Sequence, residues 1–113
     1  MKLENVKAQM KKGVLEMCIL SILDKGEAYP PEISQILKNG ELIVVDGTLY
    51  PLLNRLKRDG LLTYTWREST SGPPRKYYKL TEDGREALQG LKQAWESLSG
   101  SVAQLLAPIP SKV

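Results

Sequence analysis

A mainly α-helical domain with one small β-hairpin, closed by a long terminal helix, is the architecture this sequence predicts. Three observations predict it. Apolar residues recur at helical spacing from Leu3 to Leu23 and again from Leu49 to Leu56. Between Leu62 and Leu80 the period drops to two, the signature of half-exposed strands. Beyond Thr81 the apolar positions return in alternating steps of three and four. At 113 residues and a net charge of +3 the chain is one domain with a modest core, small enough to gain from pairing with a second copy.

The first helix spans Leu3 to Leu23. Its early part sets Leu3, Val6, Met10, Gly13 and Met17 on one face, with Lys2, Lys7, Lys11 and Lys12 elsewhere. From Val14 onward it is apolar nearly all round apart from Glu16 and Ser21, which predicts a central buried helix. Gly13 disfavours helix by about 1 kcal/mol relative to alanine, and close approach of a backbone or a ligand would explain it. The same residues also fit a helix that starts near Gly13 behind a loose basic arm. After a turn at Asp24 to Ala28, Tyr29-Pro30-Pro31 opens a second helix, proline standing where the first-turn amide lacks a partner anyway. Ile33, Ile36 and Leu37 form its apolar side, and Asn39-Gly40 ends it. Glu41 to Val45 reads as an extended connector anchored by Leu42, Ile43, Val44 and Val45.

The third helix runs from Asp46, expected as its N-cap, to a stop at Gly60. Leu49, Leu52, Leu53 and Leu56 make a buried stripe; Thr48, Tyr50, Asn54, Arg55, Lys57 and Arg58 occupy the other side. Pro51 removes one hydrogen bond, to the Gly47 carbonyl, tolerable this close to a terminus. The pattern fits an ordinary amphipathic surface helix, and equally one that offers a polar face to a DNA groove. The residues after Gly60 favour the second. Leu62, Tyr64 and Trp66 alternate with Thr63, Thr65 and Arg67, and Lys76, Tyr78 and Leu80 with Tyr77 and Lys79, around a loop predicted at Ser69 to Pro74. Three helices and then a hairpin specify a winged helix-turn-helix over residues 1–80. Charge is distributed to match: Asp46 to Lys79 holds seven cations against three anions, as a phosphate-facing surface requires.

Thr81 caps the last helix, expected over 81–107, with Glu82 and Asp83 in its first turn. Leu88, Leu91, Trp95, Leu98, Val102 and Leu105 form an a/d seam that needs a partner. The same helix of a second copy, together with its first helix, would satisfy it around a two-fold axis; folding back onto the winged core is the alternative. Pro108 and Pro110 stop the helix, and 108–113 reads as a frayed tail.

Other function classes find little support. Cys18 is alone and set among apolar residues, so a buried inert thiol is expected, and without histidine a zinc site is close to excluded. No Ser-His or Cys-His pairing and no glycine-rich phosphate loop is present, so neither an enzyme nor a cofactor is expected. No secretory leader or membrane-length apolar run is seen, which points to a cytoplasmic protein without a membrane partner. For double-stranded DNA, Thr48, Tyr50 and Asn54 would face the groove, Asn54 being the best base reader. Arg55, Lys57 and Arg58 would neutralise phosphate, and Arg75 and Lys76 would hold the wing to the backbone or minor groove. A dimer would set its reading helices one DNA turn apart, roughly 34 Å. A winged-helix protein-interaction module without DNA binding is the rival.

Lys12 to Leu20, Gly47-Thr-Leu-Tyr-Pro-Leu-Leu-Asn-Arg-Leu56, Asp59-Gly-Leu-Leu62, and Arg75-Lys-Tyr-Tyr-Lys-Leu-Thr81 with Gly84 together resemble the PadR family of transcriptional regulators, in its short members with a single C-terminal helix. The likeness covers about residues 6 to 106. Tyr29-Pro-Pro-Glu-Ile33 departs from the Tyr-Gly-Tyr-Glu-like run usual there. The resemblance implies a dimeric repressor on an inverted-repeat operator, and in some members release of DNA by an aromatic, drug-like molecule at the dimer interface. In similar multidrug-sensing members a tryptophan of the last helix lines such a pore. Trp95 matches it by position, with Leu91 and Leu98 beside it, Met10, Gly13 and Met17 opposite, and Glu16 near enough to meet a cationic ligand. Trp95 could equally be plain interface core, although two tryptophans across a two-fold would be bulky for a closed seam, and Gly13 with two methionines offers room and an adaptable lining.

Overall fold

The computed structural model describes residues 1–110, so the last three residues of the expected tail lie outside it. The element order is α1 (Leu3–Asp24), α2 (Pro30–Asn39), α3 (Asp46–Arg58), β1 (Leu62–Ser69), β2 (Gly72–Leu80) and α4 (Glu82–Leu106). This is the winged-helix order: three helices, a two-stranded antiparallel hairpin, and a long terminal helix.

The core lies between α1, α2, α3, the hairpin base and the start of α4. Leu15, Ile19, Leu20 and Leu23 enter it from α1, Ile33 and Leu37 from α2, Leu49, Leu53 and Leu56 from α3, and Leu62, Tyr78, Leu80 and Leu88 from the rest. α1 is helical from Leu3, so the loose-arm alternative does not hold. Every residue before Val14 except Val6 is exposed, because that half of α1 projects past the core. The radius of gyration, 17.3 Å, exceeds the roughly 13 Å of a compact chain this long, since both terminal helices overhang.

Four local expectations need correction. Asp46 is the first helical residue of α3, and Val45 is its N-cap, without a side-chain hydrogen bond. The Val45 carbonyl accepts from the amides of Thr48 and Leu49 instead, because Leu42 and Val44 pack on the core and bring the chain in one residue early. Ile43 and Val45 do not anchor the connector, being 69% and 67% exposed, and Ile36 lies at the margin of the apolar side of α2, 47% exposed. β2 begins at Gly72 and includes Pro73 and Pro74, leaving Thr70-Ser71 as the tip after a register shift between Arg67 and Ser69. A two-stranded hairpin has two free edges, so a proline that cannot donate is tolerated there. Finally, Leu88 is fully buried within its own chain, nearly two helical turns past the α4 start, and so belongs to the core and not to the open seam.

One hub joins α3, the hairpin and α4. The Thr81 hydroxyl donates to the Gly60 carbonyl at 2.7 Å and accepts the Gly84 amide at 3.0 Å, capping α4 as expected. The Thr81 amide donates to the Leu61 carbonyl at 3.1 Å. Gly60 takes φ +80°, the left-handed conformation that lets the chain leave α3 sharply. A further backbone pair, Ala28 with Tyr78, ties the α1–α2 turn to β2. At the departure from the family pattern, Pro30 is the first residue of α2, and the Glu32 carboxylate accepts the Tyr29 amide at 3.1 Å, so the helix still starts capped.

Candidate nucleic-acid interface and apolar groove

Burial of Leu49, Leu53 and Leu56 turns the opposite side of α3 outward. At 100° per residue, Asn54 and Arg58 take the centre of that side, Tyr50 and Lys57 the flank toward the hairpin, and Thr48 and Arg55 the flank toward α1. All are exposed except the half-buried Thr48. The two flanks differ in charge. Arg55 is ion-paired with Glu16 of α1, above a notch lined by Lys12, Leu15, Thr48, Pro51 and Leu52. Lys57 has no carboxylate partner among the described residues; its Nζ stands 5.2 Å from the ring centre of Tyr64 on β1.

In the hairpin, Trp66 faces Lys76 and Arg67 faces Arg75 across the strands. Successive strand residues point to opposite faces, so Arg75 and Lys76 diverge. Lys76 sits over aromatic rings, 4.1 Å from Tyr64, 5.5 Å from Trp66 and 5.8 Å from Tyr78. Arg75 lies 4.7 Å over Tyr29, whose ring is 5.3 Å from Tyr77. Arg67 lies 4.3 Å over Tyr77 and pairs with Glu27. Sequence reasoning missed these tyrosines as site residues, and Arg67 and Glu27 with them. The alternation of Arg67, Arg75 and Tyr77 placed them on one face, but nothing local pointed to Glu27 or Tyr29, which come from the α1–α2 turn.

A second feature lies between the two terminal helices. The overhanging half of α1 and the outer half of α4 enclose a groove of about 680 Å³. Met10, Gly13 and Met17 line it from one helix, Leu91, Trp95, Leu98 and Val102 from the other. Gly13 meets no other atom within contact distance of an added Cβ, so no close approach inside the chain requires it. Leu105 is 84% exposed and off the groove; Leu106 lines it instead. Glu16 is also off the lining, turned to Arg55. Trp95 is 45% and Leu98 59% exposed, an apolar seam that its own chain covers only in part.

Two groups have displaced protonation equilibria. Burial pushes the Cys18 thiol above its ordinary value, and Tyr78 is raised by burial and then by the neighbouring phenols of Tyr64 and Tyr50. Among the described residues no group of His, Cys, Asp or Glu could hold a metal ion. None of their helices is long and apolar enough to cross a membrane.

The fold and the exposed face of α3 beside a hairpin define a winged-helix protein. Comparisons with known proteins make the class specific. The model of the "Transcriptional regulator PadR-like family" matches residues 19–90. A transcriptional regulator of Mycobacterium tuberculosis is 33% identical over 94 residues, covering 83% of this chain and 87% of that one. A PadR-like transcription factor from Bacteroides fragilis has a solved structure that is 56% identical, with a TM-score of 0.75, covering 89% of this chain and 98% of its own. A PadR family regulator from Eggerthella lenta superposes with a TM-score of 0.87 at 32% identity, over 95% of this chain and 94% of its own. The chain belongs to the PadR-like family of transcriptional regulators.

Proposed function

We propose that this regulator works as a homodimeric repressor that binds an inverted-repeat operator in double-stranded DNA, and that an aromatic or drug-like molecule releases it from that operator by entering the groove beside Trp95. The observation that carries the DNA-binding part is the outward side of α3, where Asn54, Lys57 and Arg58 stand exposed beside the hairpin cations. Asn54 can pair bidentately with adenine, and the cations can neutralise phosphate. Arg55 contributes less than its neighbours because Glu16 already compensates it. The open seam of Leu91, Trp95, Leu98 and Val102, continuous with Met10 and Met17, supports the dimer, since a narrow apolar stripe on an overhanging helix is stable only when covered. A molecule held between the helices changes the separation of the two reading heads, provided it prefers one dimer state.

Sedimentation equilibrium and gel shifts on the DNA upstream of the protein's own gene test both parts. A dimer at micromolar concentration and a shift that weakens steeply with salt are expected; a stable monomer, or no shift at low salt, overturns the proposal. For the ligand, planar cationic dyes should quench tryptophan emission in the native protein and much less in Trp95→Ala, where Trp66 remains as the internal control. Equal quenching in both would leave Trp95 a structural role only.

A further inference from the structure

Resting on the DNA-binding reading above, we propose that Tyr64 is a positioning residue that presets Lys57 of the reading helix and Lys76 of the wing as one clamp for the DNA phosphodiester backbone. Tyr64 is on neither the helix nor the cationic stretch of β2.

Four of the cations of α3 and the hairpin form two contrasting pairs. Arg55 and Arg67 stay exposed but are each paired with a carboxylate, Glu16 and Glu27. Lys57 and Lys76 are in no ion pair among the described residues, yet they come from different elements and converge on a single ring. Their ammonium groups are 5.2 Å and 4.1 Å from its centre, so they lie within about 9 Å of each other, the sum of the two distances. Two like charges that close repel, and a neutral aromatic face offsets only part of this. An anion between or beside them completes the arrangement. The span suits one phosphate, or two neighbours on one strand, of a duplex whose groove receives α3.

The ring is itself held in place. Tyr64 is half-buried, 5.7 Å from the fully buried Tyr78 and edge-on to Trp66 at 6.0 Å. Lys76 is half-buried among the same three rings. A lysine on a free stem loses much rotamer freedom when it meets a phosphate; one already laid on a fixed ring loses less. Because β1 follows α3 directly, the ring also fixes how far the wing stands from the reading helix.

The test uses the full-length protein and a duplex it selects from a random-sequence pool. Tyr64→Phe keeps the ring and should bind as the native protein does. Tyr64→Leu keeps the burial but not the ring, and affinity should fall about fivefold per half-site, the worth of one to two exposed cation–π contacts. Lys76→Ala should then weaken binding less in the Tyr64→Leu background than in the native one, a coupling that a merely structural tyrosine would not produce. Neutral methylphosphonate linkages placed one at a time along the duplex identify the anion: at one or two positions per half-site they should erase the difference between native protein and Tyr64→Leu. Thermal unfolding of each variant checks that the hairpin is folded. Equal losses for Phe and Leu, an undiminished effect of Lys76→Ala, or no such methylphosphonate position overturns the inference while leaving DNA binding intact. A native protein that selects no duplex overturns both.

Discussion

Gly84→Ala is the substitution whose effect follows most directly from the packing. Gly84 is buried where α4 leaves the hairpin, and a methyl there would press on the Leu61 carbonyl oxygen and come within 2.6 Å of Leu80 Cδ1. The leucine tip can turn aside, but the carbonyl is backbone, held by the Thr81 amide at 3.1 Å. Overpacking of this kind costs about 1–3 kcal/mol, and loosening the Leu61–Thr81 hydrogen bond adds about 1 kcal/mol. A total near 3 kcal/mol lowers Tm by about 12 °C in a chain of this size. The consequence reaches further than the hub. Val102 lies eighteen residues along α4, about 27 Å at 1.5 Å per residue, so relief by a tilt of roughly 10° would displace it by about 5 Å. Thermal unfolding by circular dichroism measures the first effect and sedimentation of the variant the second. Leu80→Val should not rescue Gly84→Ala, because the carbonyl contact remains. A Tm within about 3 °C of the native value would refute the argument that backbone contact at this position excludes a side chain.

Three further outcomes are expected. Val45→Ser should raise Tm by about 4 °C, since an exposed valine N-cap is exchanged for a hydroxyl able to accept a first-turn amide of α3; no rise would mean the connector, not the cap, limits the helix. Leu88→Ala should destabilise by about 2–5 kcal/mol in denaturant unfolding, as a fully buried core leucine does, whereas Leu98→Asp should leave the secondary structure intact and shift sedimentation toward monomer; interchange of the two results would reverse their assignments. Cys18 and Tyr78 are raised above ordinary values of 9.0 and 10.0, so their contribution is complete below those values and is lost as pH climbs through the raised folded ones. Tm should therefore hold from pH 7 to about 9 and fall beyond it, less steeply at first in Cys18→Ala.

Periodicity together with cap, proline and glycine signals located every element, because burial on one side of a helix or strand imprints a period on the chain and these residues punctuate it. Thr81 as a cap, Gly60 as a stop and Leu49, Leu53 and Leu56 as a buried stripe are of this local kind. The errors arose where a neighbour in space decided. Asp46 has the chemistry of an N-cap, but the anchoring of Leu42 and Val44 set the start of α3 one residue sooner. Leu88 keeps the spacing of the seam, and only the packing of the α4 start against the hairpin base buries it. Glu16 and Arg55 are 39 positions apart in sequence, and their ion pair, which withdraws one from the groove and half-neutralises the other, depends on how α1 crosses α3.

The amino-acid order by itself determined the helices, the hairpin, the family resemblance and the two kinds of surface, one cationic and one apolar. Tertiary structure decided which cations are free. Charge on a side chain is a property of the residue, but its compensation depends on what folding brings within a few ångströms, and here that left Lys57 and Lys76 together on one tyrosine while Arg55 and Arg67 were given to carboxylates.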